Sequence, residues 1–139
     1  MSTTSPLRGF TTISYWATDL EAAKRWYTDL LGVEPYFQLP GYCEFRLGDY
    51  QHELGLIERT GAPFDQEAPV PAGAIMYWHV DDVTATFQRL LSLGAKPLEA
   101  PIDRGQGYIT ASVVDPFGNI LGIMYNPHYL QVLDSTKKA

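Results

Sequence analysis

The stretch Ile13–Gly32, ISYWATDLEAAKRWYTDLLG, matches Ile75–Gly94, IMYWHVDDVTATFQRLLSLG, without a gap. Seven of the twenty positions are identical, including Tyr15-Trp16 with Tyr77-Trp78, Asp19 with Asp81, and the Leu-Gly endings at Gly32 and Gly94. Two amphipathic helices of similar spacing would explain the helical part of this match but not the β-rich run before it. Duplication of one structural unit explains both.

Each copy begins as a strand and then changes period. In the first, Thr18 and Glu21 have the spacing of a capping box, in which hydroxyl and carboxylate each satisfy a free backbone N–H at a helix start. Leu20, Ala23, Tyr27, Leu30 and Leu31 follow at helical spacing, and Gly32 suits the left-handed residue that closes a helix. In the second, Asp81 or Asp82 caps a helix carrying Val83, Phe87, Leu90 and Leu91, closed by Gly94. Strand patterns then return. Residues 42–47 and 51–57 flank a tight turn at Gly48-Asp49-Tyr50, and 108–114 and 119–125 flank Asp115-Pro116-Phe117-Gly118, which suits a type I turn. The predicted organisation is a single domain, 1–139, with one module over 10–58, a Pro- and Gly-rich exposed linker over 59–72, a second module over 73–126, and a fraying tail over 127–139.

Composition removes several classes of function. A chain of 139 residues that is 45% hydrophobic and only 19% charged is globular in type. The net charge of −6, with ten scattered Lys and Arg, leaves no basic surface to neutralise phosphates, so nucleic acid is not an expected partner. No apolar run is long enough to span a membrane, and residues 1–10 do not read as a signal peptide, which points to the cytoplasm. The single cysteine, Cys43, lies in a strand pattern and reads as a small core residue rather than a nucleophile.

Alternation along the strands separates an apolar set from a mixed set. Cys43, Phe45 and Leu47 oppose Tyr42, Glu44 and Arg46; Leu54 and Leu56 oppose Gln51, Glu53 and Ile57; Ile109, Ala111 and Val113 oppose Tyr108, Thr110 and Ser112. Polar residues that merely face solvent give the same alternation. The nine tyrosines and three tryptophans exceed what a small core needs, however, and favour assigning the mixed sets to a cupped binding surface.

A strand followed by Asp19-Leu-Glu-Ala, then Trp26-Tyr27, then Asp29-Leu-Leu-Gly32, with Asp115-Pro-Phe-Gly-Asn119 before the last strand, resembles the vicinal oxygen chelate superfamily. That superfamily includes glyoxalase I, extradiol dioxygenases, methylmalonyl-CoA epimerase, and the fosfomycin and bleomycin resistance proteins. The resemblance covers residues 10–126, and the run Tyr77-Trp-His-Val-Asp-Asp82 is similar to a glyoxalase-like branch. It implies an α+β fold of two βαβββ modules curling into an incomplete barrel with helices outside, and a homodimer. The small size of each half and the open sheet edges point the same way on assembly.

In the metal-dependent members each module supplies one metal ligand from its first strand and one from its last. Carried over, these positions fall on Thr12, Glu53, Ile75 and Gly122. Only Glu53 is a strong donor, since neutral Thr binds weakly and Ile and Gly side chains do not coordinate. The expectation is a protein without metal or other cofactor. The repeat aligns Thr12 with Ala74 while the resemblance aligns it with Ile75, and a one-residue bulge would reconcile them. In the second register Trp16, Tyr77 and His79 share the cup with Glu53; in the first, Trp78 replaces Tyr77 and His79.

Of the histidines, His52 falls on the apolar side of its strand and reads as a buried ring, His128 as a surface residue, and His79 as a functional candidate. Glu53 amid Trp and Tyr is a candidate for a raised pKa and a base. Arg46 beside Glu44 reads as a surface ion pair or as an anion anchor. The candidate catalytic residues are therefore Glu53 and His79, and the candidate ligand-binding residues are Trp16, Glu44, Arg46, Tyr77 and Tyr108. The leading function is a metal-free binder of a small organic molecule, with aromatics stacking on a planar ligand. The alternatives are an enzyme using Glu53 or His79 for proton transfer, and a metal-dependent lyase, isomerase or dioxygenase with displaced ligands.

Overall fold

A helix-starting aspartate anchors each module. Asp19 accepts a hydrogen bond from the Ala22 N–H at 3.0 Å, and Asp82 accepts one from the Ala85 N–H at 2.9 Å. The cap of the first helix is thus Asp19 rather than Thr18, because Asp19 is the last extended residue before the helix. These contacts belong to a computed structural model that describes residues 12–59 and 75–137. The first module comprises β1 (Thr12–Ala17), α1 (Leu20–Leu31), β2 (Phe37–Leu39), β3 (Tyr42–Leu47) and β4 (His52–Glu58). The second comprises β5 (Met76–His79), α2 (Val83–Ser92), β6 (Lys96–Gly105), β7 (Tyr108–Val114) and β8 (Ile120–Tyr125), followed by α3 (Pro127–Lys137).

The two mixed sheets run β1-β4-β3-β2 and β5-β8-β7-β6, each with its first strand parallel to its last. They are not closed into a barrel, and the fold is α+β in two modules as the repeat implied. Helix α1 buries Leu20, Ala23 and Tyr27, and α2 buries Val83, Phe87 and Leu90, the three- and four-residue spacing that lays one stripe on a sheet. Beneath them lie Cys43, Phe45, Leu54 and Leu56 in one module and Ala111, Val113, Leu121 and Ile123 in the other, all within one core cluster. Burial of a side chain such as Phe45 stabilises by about 1.5–3 kcal/mol. The Cys43 thiol is pushed up to about 11 by that burial, which suits a core residue.

Polar contacts tie the modules to each other. The Tyr27 hydroxyl donates to Asp115 Oδ2 at 2.6 Å, Asn119 Nδ2 donates to the Trp16 carbonyl at 2.9 Å, and Trp26 Nε1 donates to the Leu93 carbonyl at 2.8 Å. Burial raises the Asp115 carboxyl, against the lowering effect of its bonds from Tyr27, Asn119 and Phe117. The Asp115–Asn119 turn is therefore a clamp between modules as well as a hairpin.

The register question is answered at the caps. Asp19 corresponds to Asp82, and the ladders place Gly55 beside Ser14 and Gly122 beside Tyr77, so Thr12 corresponds to Ile75. The one-residue offset lies in the helices, not in a strand bulge: Gly32 corresponds to Gly94 because α2 reaches its closing glycine one residue sooner. Gly32, at φ 73°, takes the left-handed conformation expected of it.

Three sequence readings change. Residues 127–137, read as a fraying tail, form α3: the Asn126 side chain accepts from the Tyr129 N–H at 3.1 Å and Pro127 begins the helix. His52, read as a buried ring, is exposed because it is the first residue of β4, beyond the cover of α1. Strands β2 and β6, not located from the sequence, complete the sheet edges. Apart from Arg59, the linker lies outside the described residues. Among the described residues no helix is long and apolar enough to cross a membrane.

Candidate functional site

A cavity of about 840 Å³ is walled by both modules. Trp16 and Glu53 enter from β1 and β4, Tyr77, Trp78 and His79 from β5, and Asn126 and Tyr129 from the start of α3. Four of the residues singled out in the sequence, Trp16, Glu53, Tyr77 and His79, thus come together, and Trp78 joins them. The two registers do not compete for the cavity, because both faces of the short strand β5 contribute to its wall. Tyr77 shares its face with Ile75 and with the missing side chain of Gly122, while Trp78 takes the core side with Tyr15.

Glu44, Arg46 and Tyr108 are not in this wall. Glu44 and Arg46 instead form a network around Glu53 on the mixed face of the first sheet. Glu53 accepts from Thr12 Oγ1 at 2.8 Å, from the Tyr36 hydroxyl at 3.0 Å and from Arg46 Nη2 at 3.3 Å. The Tyr36 hydroxyl also bonds to Glu44, as does the Tyr42 hydroxyl. Arg46 pairs with Glu53, its cross-strand neighbour, and not with Glu44, which lies on its own strand; its guanidinium sits 4.2 Å from the centre of the Tyr36 ring. Tyr108 starts β7, opposite Gly105, away from the cavity wall.

These contacts set the protonation of the network. The Thr12 hydroxyl, then the Tyr36 hydroxyl and the Arg46 guanidinium, hold the Glu53 carboxyl below its usual range, so the raised value expected for a base is not found. The bond to Glu44, followed by desolvation, pushes the Tyr36 phenol up to about 12. Glu53 is an ionised acceptor held in place, not a group poised near neutrality. Tyr36 was missed in the sequence because it falls in the loop before β2, where no periodicity marks it.

His79 is stacked on Tyr129 with ring centres 4.7 Å apart and planes 7° from parallel. Its Nδ1 accepts the Asn126 N–H at 3.1 Å, which in the neutral ring puts the proton on Nε2. Nε2 lies 3.4 Å from Asp81 Oδ1 and makes no hydrogen bond. Tyr129 and Asn126 were also missed, although Asn126-Pro127 is a readable helix start: a capping side chain followed by proline at the first helical position.

The four positions that hold a metal in metal-dependent relatives do not fit one here. Thr12 and Glu53 bond to each other, and Ile75 has no donor. A Cβ on Gly122 would fall 2.6 Å from the Tyr77 ring, so the space where a glutamate side chain would begin is taken. Glu53 pairs with Thr12 while Gly122 pairs with Tyr77, so the two last-strand positions also stand on rungs that do not correspond. Among the described residues no group of three or more His, Cys, Asp or Glu side chains is placed to hold an ion.

Two βαβββ modules enclosing a cleft define a class of protein with many solved examples. The profile of the Glyoxalase/Bleomycin resistance protein/Dioxygenase superfamily matches residues 9–123, and the chain belongs to that superfamily. A glyoxalase-related enzyme from Fulvimarina pelagi superposes with a TM-score of 0.68 at 24% identity, covering 87% of this chain and 90% of that one. A lactoylglutathione lyase from Agrobacterium tumefaciens superposes at 0.65 with 25% identity, covering 89% and 98%. Among curated proteins, biphenyl-2,3-diol 1,2-dioxygenase 3 of Rhodococcus globerulus is 25% identical over 108 residues, 73% of this chain. The match spans 55% of that relative's length.

Proposed function

We propose that the protein binds a small, largely apolar organic molecule in the cavity between its modules, without a metal ion, in the cytoplasm and as a homodimer. The observation that carries this reading is the cavity itself. Its volume of about 840 Å³ and its wall of Trp16, Tyr77 and Trp78 suit a planar ligand held by stacking. The relative named for biphenyl-2,3-diol adds that a related chain takes an aromatic compound. The poor fit of the four metal positions supports a binder over a metal enzyme. The depressed Glu53 carboxyl, already occupied by three donors, likewise argues against a base. The dimer reading is supported by Tyr36, Phe37 and Leu39, exposed by 46%, 43% and 55% along the edge of the first sheet.

Native mass spectrometry of the purified protein tests this. An organic adduct is expected, and Tyr77→Ala should weaken its retention about three- to tenfold, the worth of one aromatic contact. Chelator should leave the melting temperature unchanged, since an ion held only by the folded state would raise it. Stoichiometric metal lost with Glu53→Ala would overturn the binder reading. So would turnover of a substrate that disappears in Glu53→Gln or His79→Ala.

A further inference from the structure

Among the described residues three buried side-chain polar atoms make no hydrogen bond: Tyr50 Oη, Trp78 Nε1 and His79 Nε2. Two of these belong to rings that touch Tyr129 of α3. The His79 ring is stacked on it, and the Tyr50 ring meets it edge-on at 5.7 Å. His79 Nε2 lies 3.4 Å from Asp81 Oδ1 without bonding to it, and a buried donor left unbonded, such as the Tyr50 hydroxyl, is costly and is satisfied when a covering side chain moves away and solvent or a ligand enters.

The helix that carries Tyr129 is loosely attached. It buries no residue fully, in contrast to α1 and α2 with three each. Tyr129 joins it to the body on three sides, since beyond its two ring contacts its hydroxyl donates to Asp49 Oδ2 at 2.8 Å in the β3–β4 turn. Tyr129 and Asn126 wall both the main cavity and a second one of about 400 Å³, and His52 lines both as well. Displacing the helix would join the two spaces and widen the mouth through which they already meet solvent. Asn126 supplies the pivot: its N–H is tied to His79 on the body, while its side chain caps the helix.

We propose that α3 is a lid on the binding cavity, latched by Tyr129 against His79, Tyr50 and Asp49, and that it opens to admit the ligand. The proposal rests on the cavity being the binding site. Opening leaves the Asn126 bond to His79 in place, so the neutral ring keeps its proton on Nε2 beside Asp81, while the Tyr50 hydroxyl is uncovered for an incoming acceptor such as a carbonyl oxygen. The lid therefore favours an uncharged ligand that carries a hydrogen-bond acceptor beside its apolar body.

Two measurements test this on the full chain. In hydrogen exchange, α3 amides should exchange at least about tenfold faster than those of β8, through an opening that does not unfold the sheets. In stopped-flow binding of Nile red, an uncharged aromatic probe with a carbonyl acceptor, Tyr129→Ala should raise the on-rate and off-rate together by about tenfold, the loss of a stack and a charge-assisted bond. Tyr129→Phe, which keeps the stack and loses the bond to Asp49, should fall between and guards against a misfolded alanine variant. Exchange of α3 no faster than β8, or an on-rate indifferent to both variants while Tyr77→Ala still weakens binding, overturns the lid and leaves the cavity standing. Binding absent from every form, or indifferent to Tyr77→Ala, overturns the cavity reading and the lid with it.

Discussion

Glu53 accepts from Thr12 on one carboxylate oxygen and from Tyr36 and Arg46 on the other. Each donor favours the charged form, and the Thr12 bond contributes most to the lowered pKa. A carboxyl whose folded pKa is depressed stabilises the fold above its unfolded value of 4.5 and loses that contribution as pH falls through the folded midpoint. The network is thus intact at neutral pH and loosens only in acid. An NMR titration of the Glu53 side-chain carbon should give a midpoint below 4.5, and Thr12→Val should move it upward. A midpoint above 4.5 in the native protein would restore Glu53 as a candidate base. At 27% side-chain exposure, solvent screens the pair with Arg46, so position rather than stability is what the network supplies.

Strand β8 acts on the cavity through its neighbour β5, which supplies Tyr77, Trp78 and His79 to the wall. Gly122 sits where its neighbours on β5 press closest, with the Tyr77 ring and Ile75 Cγ2 occupying the region a side chain would enter. Gly55 has the corresponding place on β4, against Ser14 and the Tyr42 hydroxyl. In each module the glycine lets the first strand lay a side chain across the last. Gly122→Ala should therefore push Tyr77, which is 39% exposed and free to swing outward, off its present position. Stability should change by less than about 1 kcal/mol, since crowding is relieved by that swing and partly offset by removing a glycine from a strand. Affinity for Nile red should fall as it does in Tyr77→Ala. A loss of stability above about 3 kcal/mol in urea denaturation would instead show Tyr77 to be fixed by its surroundings.

For the whole molecule, the decisive surfaces are those between and beyond the modules. The buried Asp115, held by the Tyr27 hydroxyl and by its own turn, locks one module's last hairpin onto the other module's helix. The outer edge at β2 has no partner strand among the described residues, and its apolar residues favour pairing with a second copy. Sedimentation at micromolar concentration should give a dimer, and Leu39→Lys should shift it toward monomer without altering the melting of the core. A native protein that sediments as a monomer would overturn the homodimer.

The repeat, the caps and the apolar strand sets were legible in the sequence because each rests on local periodicity: a strand alternates, a helix recurs every three to four residues, and an aspartate marks where one becomes the other. Cys43, Phe45, Leu54, Leu56, Ala111 and Val113 could be assigned to the core on that ground alone. The weakness of the metal positions at Ile75 and Gly122 was legible too, since no fold gives those side chains a donor atom. What no local pattern contains is which distant residues meet. Arg46 lies two residues from Glu44 along its strand, yet the antiparallel register gives it to Glu53. His52 follows the apolar parity of its strand, yet its place at the strand's first rung leaves it outside the core. Tyr129 is 50 residues from His79 in sequence and becomes its stacking partner only because α3 folds back across the cavity. Periodicity fixes the elements and their faces; the contacts that make a site depend on how those elements pack, and that is decided only by the tertiary fold.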